Sequence, residues 1–334
     1  MTALSCTPVQ VVSNLLIPDH AGSMQDVFMK VHRHPPHDAI TEALLGGFDN
    51  WDSEYYIYIA QHGYTFLQAM AFFPLYPILM WLVGRTLLFP LSFILAERSL
   101  FLLAGVLINF TLFPLAAIAL YLLTMFTTDN QRLSVLTALL FCMNPASVFM
   151  SAVYTECLFA LCTFSGLCLL TKRYCWTASV VFALAVATRS NGIVLLGFIA
   201  YHHCSDLCSG LSKKGTLLQA VRVSFVKALV AVLQGALVVL PFTVFQLYGY
   251  RRYCSLHNTM SDGTVEAPFE WCQWMLPLPY LYIQEHYWNN GFLRYFQLKQ
   301  IPNFLLALPT VCLSLYALWN YFAGGKTLLS LGQV

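Results

Sequence analysis

Residues 99–128 read SLFLLAGVLINFTLFPLAAIALYLLTMFTT and contain no Asp, Glu, Lys or Arg. A helix needs about 20 apolar residues to cross the hydrocarbon core of a bilayer, so this stretch predicts a membrane-spanning helix. Two more uncharged stretches, residues 228–250 and 300–325, predict two further spans.

The composition of the whole chain agrees with a lipid environment. Of its 334 residues, 58% are hydrophobic and only 10% are charged, whereas soluble globular domains have about 25% charged residues. The net charge is +2 and no basic tract is present, which excludes a nucleic-acid-binding protein. We therefore predict an all-α polytopic membrane protein.

The other apolar regions predict shorter and less regular membrane segments. Residues 72–95 are a further candidate span, although Arg85 and several prolines interrupt them. Between residues 132 and 203 the chain is apolar with few exceptions, and we predict two to four short, discontinuous segments there. The charged exceptions are Glu156, Lys172, Arg173 and Arg189.

These patterns divide the chain into four predicted parts. Residues 1–71 hold the remnant of a first membrane helix, ending in the apolar residues 11–17, and a first loop. Residues 72–250 form a multi-helix membrane core, residues 251–302 an aromatic loop, and residues 303–334 a final membrane helix with the C-terminal residues.

The orientation follows from the basic residues of segment 204–227, which are Lys213, Lys214, Arg222 and Lys227. Lys and Arg accumulate in cytoplasmic loops. We therefore place this segment in the cytoplasm and the aromatic loop, which follows one span later, in the lumen.

The first polar motif is GGFDNWDSE, residues 46–54. Asp49 or Asn50 is predicted to cap a helix that ends at Gly63. The carboxylates that follow the cap then fall in the first turn of this helix.

Two interpretations of these carboxylates, Asp52 and Glu54, stay open. Acidic groups in a first turn complement the helix macrodipole at a protein surface. Alternatively, a carboxylate beside Trp51 is a general base that takes a proton from a sugar hydroxyl. Asp52 is the stronger of the two candidates for that role.

The second polar motif is NPASVFMSAVYTE, residues 144–156. Asn144 at an N-cap followed by Pro145 predicts a helix start inside an uncharged stretch, so a spanning helix breaks here. Helix N-termini bind anions, and broken helices at membrane depth line protein or a water-filled cavity. With Glu156, this favours a functional site over a surface kink. Polar side chains at helical spacing are predicted to form one stripe: Ser147, Ser151, Tyr154 and Thr155.

The third polar motif is TRSNG, residues 188–192. Arg189 has no charged neighbour for about fifteen positions on either side. Such an arginine marks a site or polar cavity, with a guanidinium suited to a lipid phosphate oxygen, unless it snorkels to the interface. Asn191-Gly192 is predicted to close one helix in the left-handed conformation and to start another.

The aromatic loop carries seven Trp or Tyr residues between positions 271 and 295. They form an interfacial belt, or cover a groove for a glycan or polyprenyl chain, and the two interpretations are compatible. In a luminal loop, Cys254 and Cys272 are predicted to form a disulfide.

Two other local patterns do not predict a metal site or a glycosylation site. The segment 202–208 contains two His and two Cys residues but lacks a second ligand pair at zinc-finger spacing, so no metal site is predicted. The sequon Asn109-Phe110-Thr111 lies inside a predicted span, so glycosylation is not expected there.

In this order, the motifs resemble the GPI mannosyltransferase 2 family (PIG-V type), and the likeness covers nearly the whole chain. The matching motifs include Ile17-Pro18-Asp19-His20, Trp51-Asp52-x-Glu54, His62-Gly63-Tyr64, Phe72-Phe73-Pro74-x-x-Pro77, Pro145-Ala146, Glu156-x-Leu158-Phe159, Arg189-Ser190-Asn191-Gly192, Tyr287-Trp288-Asn289 and Pro302-Asn303-Phe304. Family members begin with a complete first membrane helix and continue beyond the span ending near Gly325. The likeness therefore implies a fragment or shortened form.

The resemblance implies a GT-C glycosyltransferase of the endoplasmic reticulum membrane with long luminal loops. It would transfer the second mannose, α-1,6-linked, from dolichyl phosphate mannose to a mannosylated glucosaminyl-phosphatidylinositol, with inversion, without a cofactor, and with Asp52 as base. A small membrane subunit is a further implied partner. The predicted substrate contacts are Trp51, Glu54, Asn144, Tyr154, Glu156, Arg189 and Asn191. The phosphate role of Arg189 and of the Asn144 helix start is our inference from their chemistry.

Three alternatives stay open at this stage. Another dolichyl-phosphate-sugar transferase would share the architecture but not the full order of motifs. A lipid transporter would need internal repeats, and no repeat is visible in the sequence. In a non-catalytic, truncated isoform or structural subunit, Asp52 would be dispensable.

Overall fold

The computed structural model describes residues 38–211, 217–255 and 269–324. The expected remnant of a first membrane helix (residues 11–17), the Ile17–His20 motif, Lys213 and Lys214 lie outside these ranges.

The described residues are mostly helical and contain no β-strand. The α-helices are α1 (Ala39–Leu45), α2 (Asp52–His62), α3 (Leu75–Arg85), α4 (Glu97–Thr128), α5 (Gln131–Cys142), α6 (Val148–Ser151), α7 (Glu156–Thr171), α8 (Cys175–Thr188), α9 (Leu196–Leu211), α10 (Leu217–Tyr250), α11 (Pro279–His286) and α12 (Ile301–Ala323). Short 3-10 segments connect several of them, among them Gly46–Phe48, Pro145–Ser147 and Ser190–Leu195.

The chain divides into two compact units, residues 1–248 and 249–334. In the first unit, α4 is the central helix, and α2, α3, α5 and α7 all pack against it. Helix α8 packs on α7. The three polar motifs all belong to this first unit.

Three helical stretches are long and apolar enough to cross a membrane: Glu97–Thr128, Arg222–Ser255 and Leu298–Ala323. They confirm the three predicted spans. The apolar region that follows α4 folds into short helices separated by breaks, as predicted, and four of them (α5, α7, α8 and α9) are longer than one turn.

The candidate span at residues 72–95 is corrected by the structure. Helix α3 has only eleven residues and ends at Arg85, which pairs with Glu97 at the start of α4. A 3-10 segment, Phe89–Phe93, follows. Eleven residues extend about 17 Å, which is too short to cross the hydrocarbon core.

The second polar motif is a true break between two helices. Asn144 Oδ1 accepts a hydrogen bond from Ala146 N at 2.9 Å, which confirms the predicted cap. However, α6 lasts a single turn, Ala152 is extended with ψ 168°, and α7 begins only at Glu156. The predicted continuous polar stripe is therefore wrong, because the backbone is not helical between Ser151 and Glu156.

Asn109 holds this break from the side of α4. Its side chain is fully buried, and Nδ2 donates to the carbonyl oxygens of Ala152 and Tyr154, the latter at 2.9 Å. These carbonyls lie where the helical ladder is interrupted, and a buried carbonyl needs a donor. The burial of Asn109 also fits the expectation that the sequon is not glycosylated.

In the second unit, Cys254 and Cys272 form the predicted disulfide, with 5.8 Å between their Cα atoms. Trp271 is completely buried, and its ring centroid lies 6.5 Å from that of Tyr250 and 6.4 Å from that of Tyr282. Part of the aromatic loop is thus a packed cluster beside the disulfide.

We expect Asn109→Leu to destabilise the protein by about 2 kcal/mol or more, because two buried carbonyls lose their donor. The thermal unfolding midpoint of the detergent-solubilised protein measures the effect. The matched control is Thr111→Val, which removes the same sequon at an exposed position and should leave the midpoint unchanged. Equal midpoints for wild type and Asn109→Leu would contradict the assigned role.

Candidate functional site

Asp52 is the first residue of α2, and its side chain is exposed. Glu54, in the same turn, is half-buried. The structure thus confirms that both acids lie in the first turn, and it confirms that the helix ends at Gly63, whose φ is 72°. Carboxylates at this end of a helix interact favourably with its dipole.

The predicted helix cap is wrong by one to two residues. Trp51, not Asp49 or Asn50, occupies the N-cap, and it makes no side-chain capping hydrogen bond. Its backbone has φ 63° and ψ −118°, a conformation that favours glycine and strains other residues. The Trp51 side chain is 82% exposed.

Asp49 is instead held by a buried ion pair with Arg98. The Arg98 Nη2–Asp49 Oδ2 distance is 2.5 Å, and the two side chains are only 10% and 3% exposed. Ser53 Oγ lies 3.4 Å from Asp49 Oδ1 and donates to the Asn50 carbonyl oxygen at 2.7 Å. The start of α4 therefore anchors the residue before the turn, and Ser53 links the two sides of Trp51.

The second polar motif contacts the first directly. Tyr154 donates its hydroxyl to the Asn50 carbonyl oxygen at 2.8 Å, and the hydroxyls of Tyr56 and Thr155 lie 3.4 Å apart. The broken helix thus supports the turn that carries Asp52.

The third polar motif contributes an ion pair between Arg189 Nη1 and Glu156 Oε1. The other oxygen of this carboxylate, Oε2, is buried and has no hydrogen-bond partner among the residues that the structure describes. Arg189 is therefore neutralised by an acid from the second motif, and half of that acid is left without a donor.

Gly192 allows the chain to turn sharply after Arg189, but not in the predicted way. Gly63 is the only described glycine with a positive φ, so Asn191-Gly192 does not form a left-handed cap. Instead, a Cβ at Gly192 would lie 2.8 Å from the Val186 Cα. Only glycine permits this close approach between the 3-10 segment, which directly follows Arg189, and α8.

The charges of Asp52, Glu156 and Arg189 act on one another. Loss of hydration on burial, followed by the negative charge of Glu156, raises the pKa of Asp52 above its ordinary value, and the charge of Arg189 opposes this shift. Asp52 reaches solvent, yet enough protein surrounds its carboxylate to remove part of its hydration. The three motifs thus converge on one acidic centre with one arginine.

The position of this centre along α4 can be compared with the thickness of a bilayer. Lys172 Nζ lies 3.9 Å from the centroid of the Phe126 ring near the far end of α4. Phe126 is seventeen residues, or about 26 Å, beyond Asn109, which marks the level of the helix break. The hydrocarbon core is about 30 Å thick. If Lys172 marks one boundary of the core, Glu156 and Arg189 lie close to the other.

A second group of charges gathers at the Lys172 end. Arg173 Nη1 pairs with Asp206 Oδ1 at 2.8 Å, and Lys227 Nζ donates to the Asp206 carbonyl oxygen at 3.0 Å. The first unit therefore has a predominantly basic end and an opposite end that carries Asp52.

None of the hydrogen bonds or ion pairs described above joins the remaining predicted substrate-binding residues to the acidic centre. Asn144 is exposed and caps its own short turn, and Asn191 is exposed. Their substrate roles, like those of Trp51 and Glu54, stay predictions. Among the residues described, no group of three His, Cys, Asp or Glu side chains is close enough to hold a metal ion.

Comparison with known proteins adds a family to this geometry. The family model described as Mannosyltransferase (PIG-V) matches residues 9–334. The chain belongs to the PIG-V mannosyltransferase family. The helical fold and the membrane spans agree with membership of this family of membrane glycosyltransferases.

Curated relatives in the PIG-V family are similar over most of the chain. The protein named GPI alpha-1,6-mannosyltransferase 2 from Mus musculus is 40% identical over 330 residues, which cover 94% of this chain and 65% of the relative. Its namesake from Homo sapiens is 39% identical with the same coverage. GPI mannosyltransferase 2 from Drosophila melanogaster is 33% identical, over 94% of this chain and 72% of the relative. No solved structure matches the chain.

Sequence reasoning missed three residues that build the site of this PIG-V family member. The local sequence predicts only a cap at Asp49, places Arg98 at the edge of a span, and makes Asn109 part of a sequon. All three are buried polar residues. Asn109 inside an apolar helix and an arginine at the head of one are the signals that could have identified them.

We expect Asp49→Asn to destabilise the protein by about 3 kcal/mol, because it leaves the Arg98 guanidinium buried without its countercharge. Thermal unfolding in detergent measures the change. The double variant Asp49→Asn/Arg98→Met should recover part of the loss. Glu97→Gln, which breaks the exposed pair with Arg85, is the control and should cost less than about 1 kcal/mol. A double variant less stable than Asp49→Asn would refute the pairing argument.

Proposed function

We propose that the chain is a mannosyltransferase that adds the second mannose, in α-1,6 linkage, to the GPI anchor precursor. The donor is dolichyl phosphate mannose, and the acceptor is a mannosylated glucosaminyl-phosphatidylinositol. The observation that carries the proposal is the exposed carboxylate of Asp52 beside the Glu156–Arg189 pair, in a chain of the PIG-V family. The names of the mammalian relatives support the linkage.

The proposed chemistry is a single displacement at the anomeric carbon. Asp52 takes the proton of the acceptor 6-hydroxyl, whose oxygen forms a bond to C1 of the donor mannose. The bond from C1 to the phosphate oxygen breaks, and dolichyl phosphate leaves with the electron pair. One displacement turns the β linkage of the donor into an α linkage. The logic is that of an inverting glycosidase, with a sugar hydroxyl in place of water.

The surroundings of Asp52 suit a general base. A carboxylate with an ordinary pKa near 3.9 is a weak base, and a base becomes more effective as its pKa approaches the working pH. Loss of hydration and the charge of Glu156 raise the pKa of Asp52 in this direction. The phosphate leaving group needs no proton from an acid in the protein.

Arg189 is the proposed ligand of the departing phosphate. A guanidinium stabilises the negative charge that develops on phosphate oxygens during displacement. In the structure Arg189 is paired with Glu156, whose second oxygen has no described donor. We infer that Glu156 keeps Arg189 in place before the donor binds and shares it with the phosphate afterwards.

The proposal places Asp52 on the luminal side of the endoplasmic reticulum membrane. Basic residues favour the cytoplasmic face, which assigns the Lys172–Lys227 end of the first unit to the cytoplasm and the opposite end to the lumen. Helix α10 leads from Lys227 to Tyr250, just before Cys254. The Cys254–Cys272 disulfide supports an oxidising compartment at that end of the helix.

Asp52→Asn should abolish mannose transfer without loss of the protein. In cells that lack this enzyme, a GPI precursor with one mannose should accumulate, and expression of the wild-type chain should clear it. The Asp52→Asn chain should be made at equal abundance on a blot but leave the precursor in place.

The matched control is Asp129→Asn, which removes an acid at the end of α4 remote from the site. Asp129 has φ 48°, a conformation that asparagine adopts readily, so this variant should clear the precursor. Full restoration of surface GPI-anchored proteins by Asp52→Asn would show that Asp52 is not the base.

The charges around Asp52 predict opposite shifts of the pH profile of kcat/KM. The base works only when deprotonated, so activity falls as the pH drops through its pKa. Glu156→Gln removes a charge that raises this pKa and should move the acid limb to lower pH. Arg189→Met removes a charge that lowers it and should move the acid limb to higher pH. Shifts in the same direction would exclude Asp52 as the titrating group.

A further inference from the structure

Trp51 combines two unfavourable features in one residue. Its backbone has φ 63° and ψ −118°, a conformation that costs free energy for any residue with a Cβ. Its large ring is 82% exposed, so burial of the ring does not offset that cost. Strain of this kind persists where neighbouring structure enforces it, and here the Asp49–Arg98 pair and the Tyr154 hydrogen bond hold the flanking residues.

A small cavity opens next to this ring. Its volume is about 150 Å³, and residues from the first and second polar motifs line it. Four of the residues that line it are aromatic: Phe48, Trp51, Phe149 and Tyr154. The ring centroids of Phe149 and Tyr154 are 5.7 Å apart, at an interplanar angle of 69°, so the two rings form a corner.

The composition of this cavity suits a sugar ring better than a hydrocarbon chain. Aromatic faces pack against the C–H faces of a pyranose, whose hydroxyl groups need polar partners at the rim. The Tyr154 oxygen, which donates to Asn50, can still accept a hydrogen bond. The Asp52 carboxylate follows Trp51 in the chain. A hydrocarbon chain at this place would leave the accepting position of the Tyr154 oxygen without a hydrogen bond.

We propose that Trp51, Phe149 and Tyr154 form a subsite for one hexopyranose ring beside Asp52. The inference rests on the proposed function and adds to it the place where a sugar is held. Two sources supply the same chemistry: the mannose of the acceptor, which presents its hydroxyl to Asp52, and the mannose carried by the donor. The indole of Trp51 lines this cavity and is not packed in the protein interior.

The decisive variant is Trp51→Gly, because it separates stability from binding. Glycine adopts the Trp51 conformation without strain, so the thermal unfolding midpoint should be equal to that of wild type or higher. Removal of the ring should raise the KM for one substrate roughly fivefold to tenfold and leave kcat nearly unchanged. Separate concentration series of acceptor and donor show which mannose occupies the subsite.

Two further variants control this measurement. Trp51→Phe keeps an aromatic face and should retain most of the affinity. Trp176→Ala removes an exposed indole from α8, where Trp176 is 51% exposed, and should leave both KM values unchanged. Unchanged KM values for both substrates in Trp51→Gly, or a clear loss of stability in that variant, would overturn the subsite.

A binding measurement tests the subsite independently of turnover. Saturation-transfer NMR on the solubilised protein uses methyl α-mannopyranoside as the probe. The signal should be present with wild type and with Asp52→Asn, and it should be lost with Trp51→Gly. Equal signals from wild type and Trp51→Gly would refute the subsite. Loss of catalysis by Asp52→Asn with normal KM values in Trp51→Gly would leave the proposed function standing and remove only this inference.

Discussion

The helix break beside the candidate site depends on the side-chain amide of Asn109. An interrupted helix in an apolar environment leaves backbone carbonyls without donors, and each such group costs more than any single contact regains. Asn109 supplies donors to Ala152 and Tyr154 from the neighbouring helix. Because the break is stabilised, α5 stops short and α7 starts anew at Glu156. Without the break, that acid would lie within a continuous helix and not at the head of one.

The first unit has two groups of charged residues at different positions along α4. The acidic centre of Asp52 and Glu156 lies at the level of the break together with Arg189, and a basic group that includes Lys172 lies about a membrane thickness away. A buried ion pair, Asp49 with Arg98, holds the chain three residues before the exposed Asp52. A buried pair contributes little net stability, but it fixes the backbone on which the exposed acid stands. Rigid support and a solvent-accessible carboxylate both suit the proposed role of Asp52 as general base.

The elements that were predictable depend on local properties of the chain. The three long spans follow from uncharged stretches, the helix end at Gly63 from glycine chemistry, and the disulfide from two cysteines in a polar loop. Two of the errors share one cause, which is that a distant side chain overrides a local pattern. Asp is a residue type that favours helix N-caps, but the carboxylate of Asp49 pairs with Arg98, which is 49 positions away in the chain. The predicted polar stripe requires a continuous helix, but Asn109 stabilises a non-helical backbone between Ser151 and Glu156.

The sequence by itself determined the lipid environment, the helical class and the family, because each of these depends on composition or on short motifs that can be compared directly. It also identified Asp52, Glu156 and Arg189 individually as residues of interest. Only the tertiary structure decided that Glu156 neutralises Arg189, that both act on Asp52, and that Asn109 and Arg98 support the site. The hydrogen-bonded pairs among them are 33 to 49 positions apart in the chain, and Asp52 lies more than 100 positions before Glu156. Such distant pairings depend on helix packing, which no local pattern encodes.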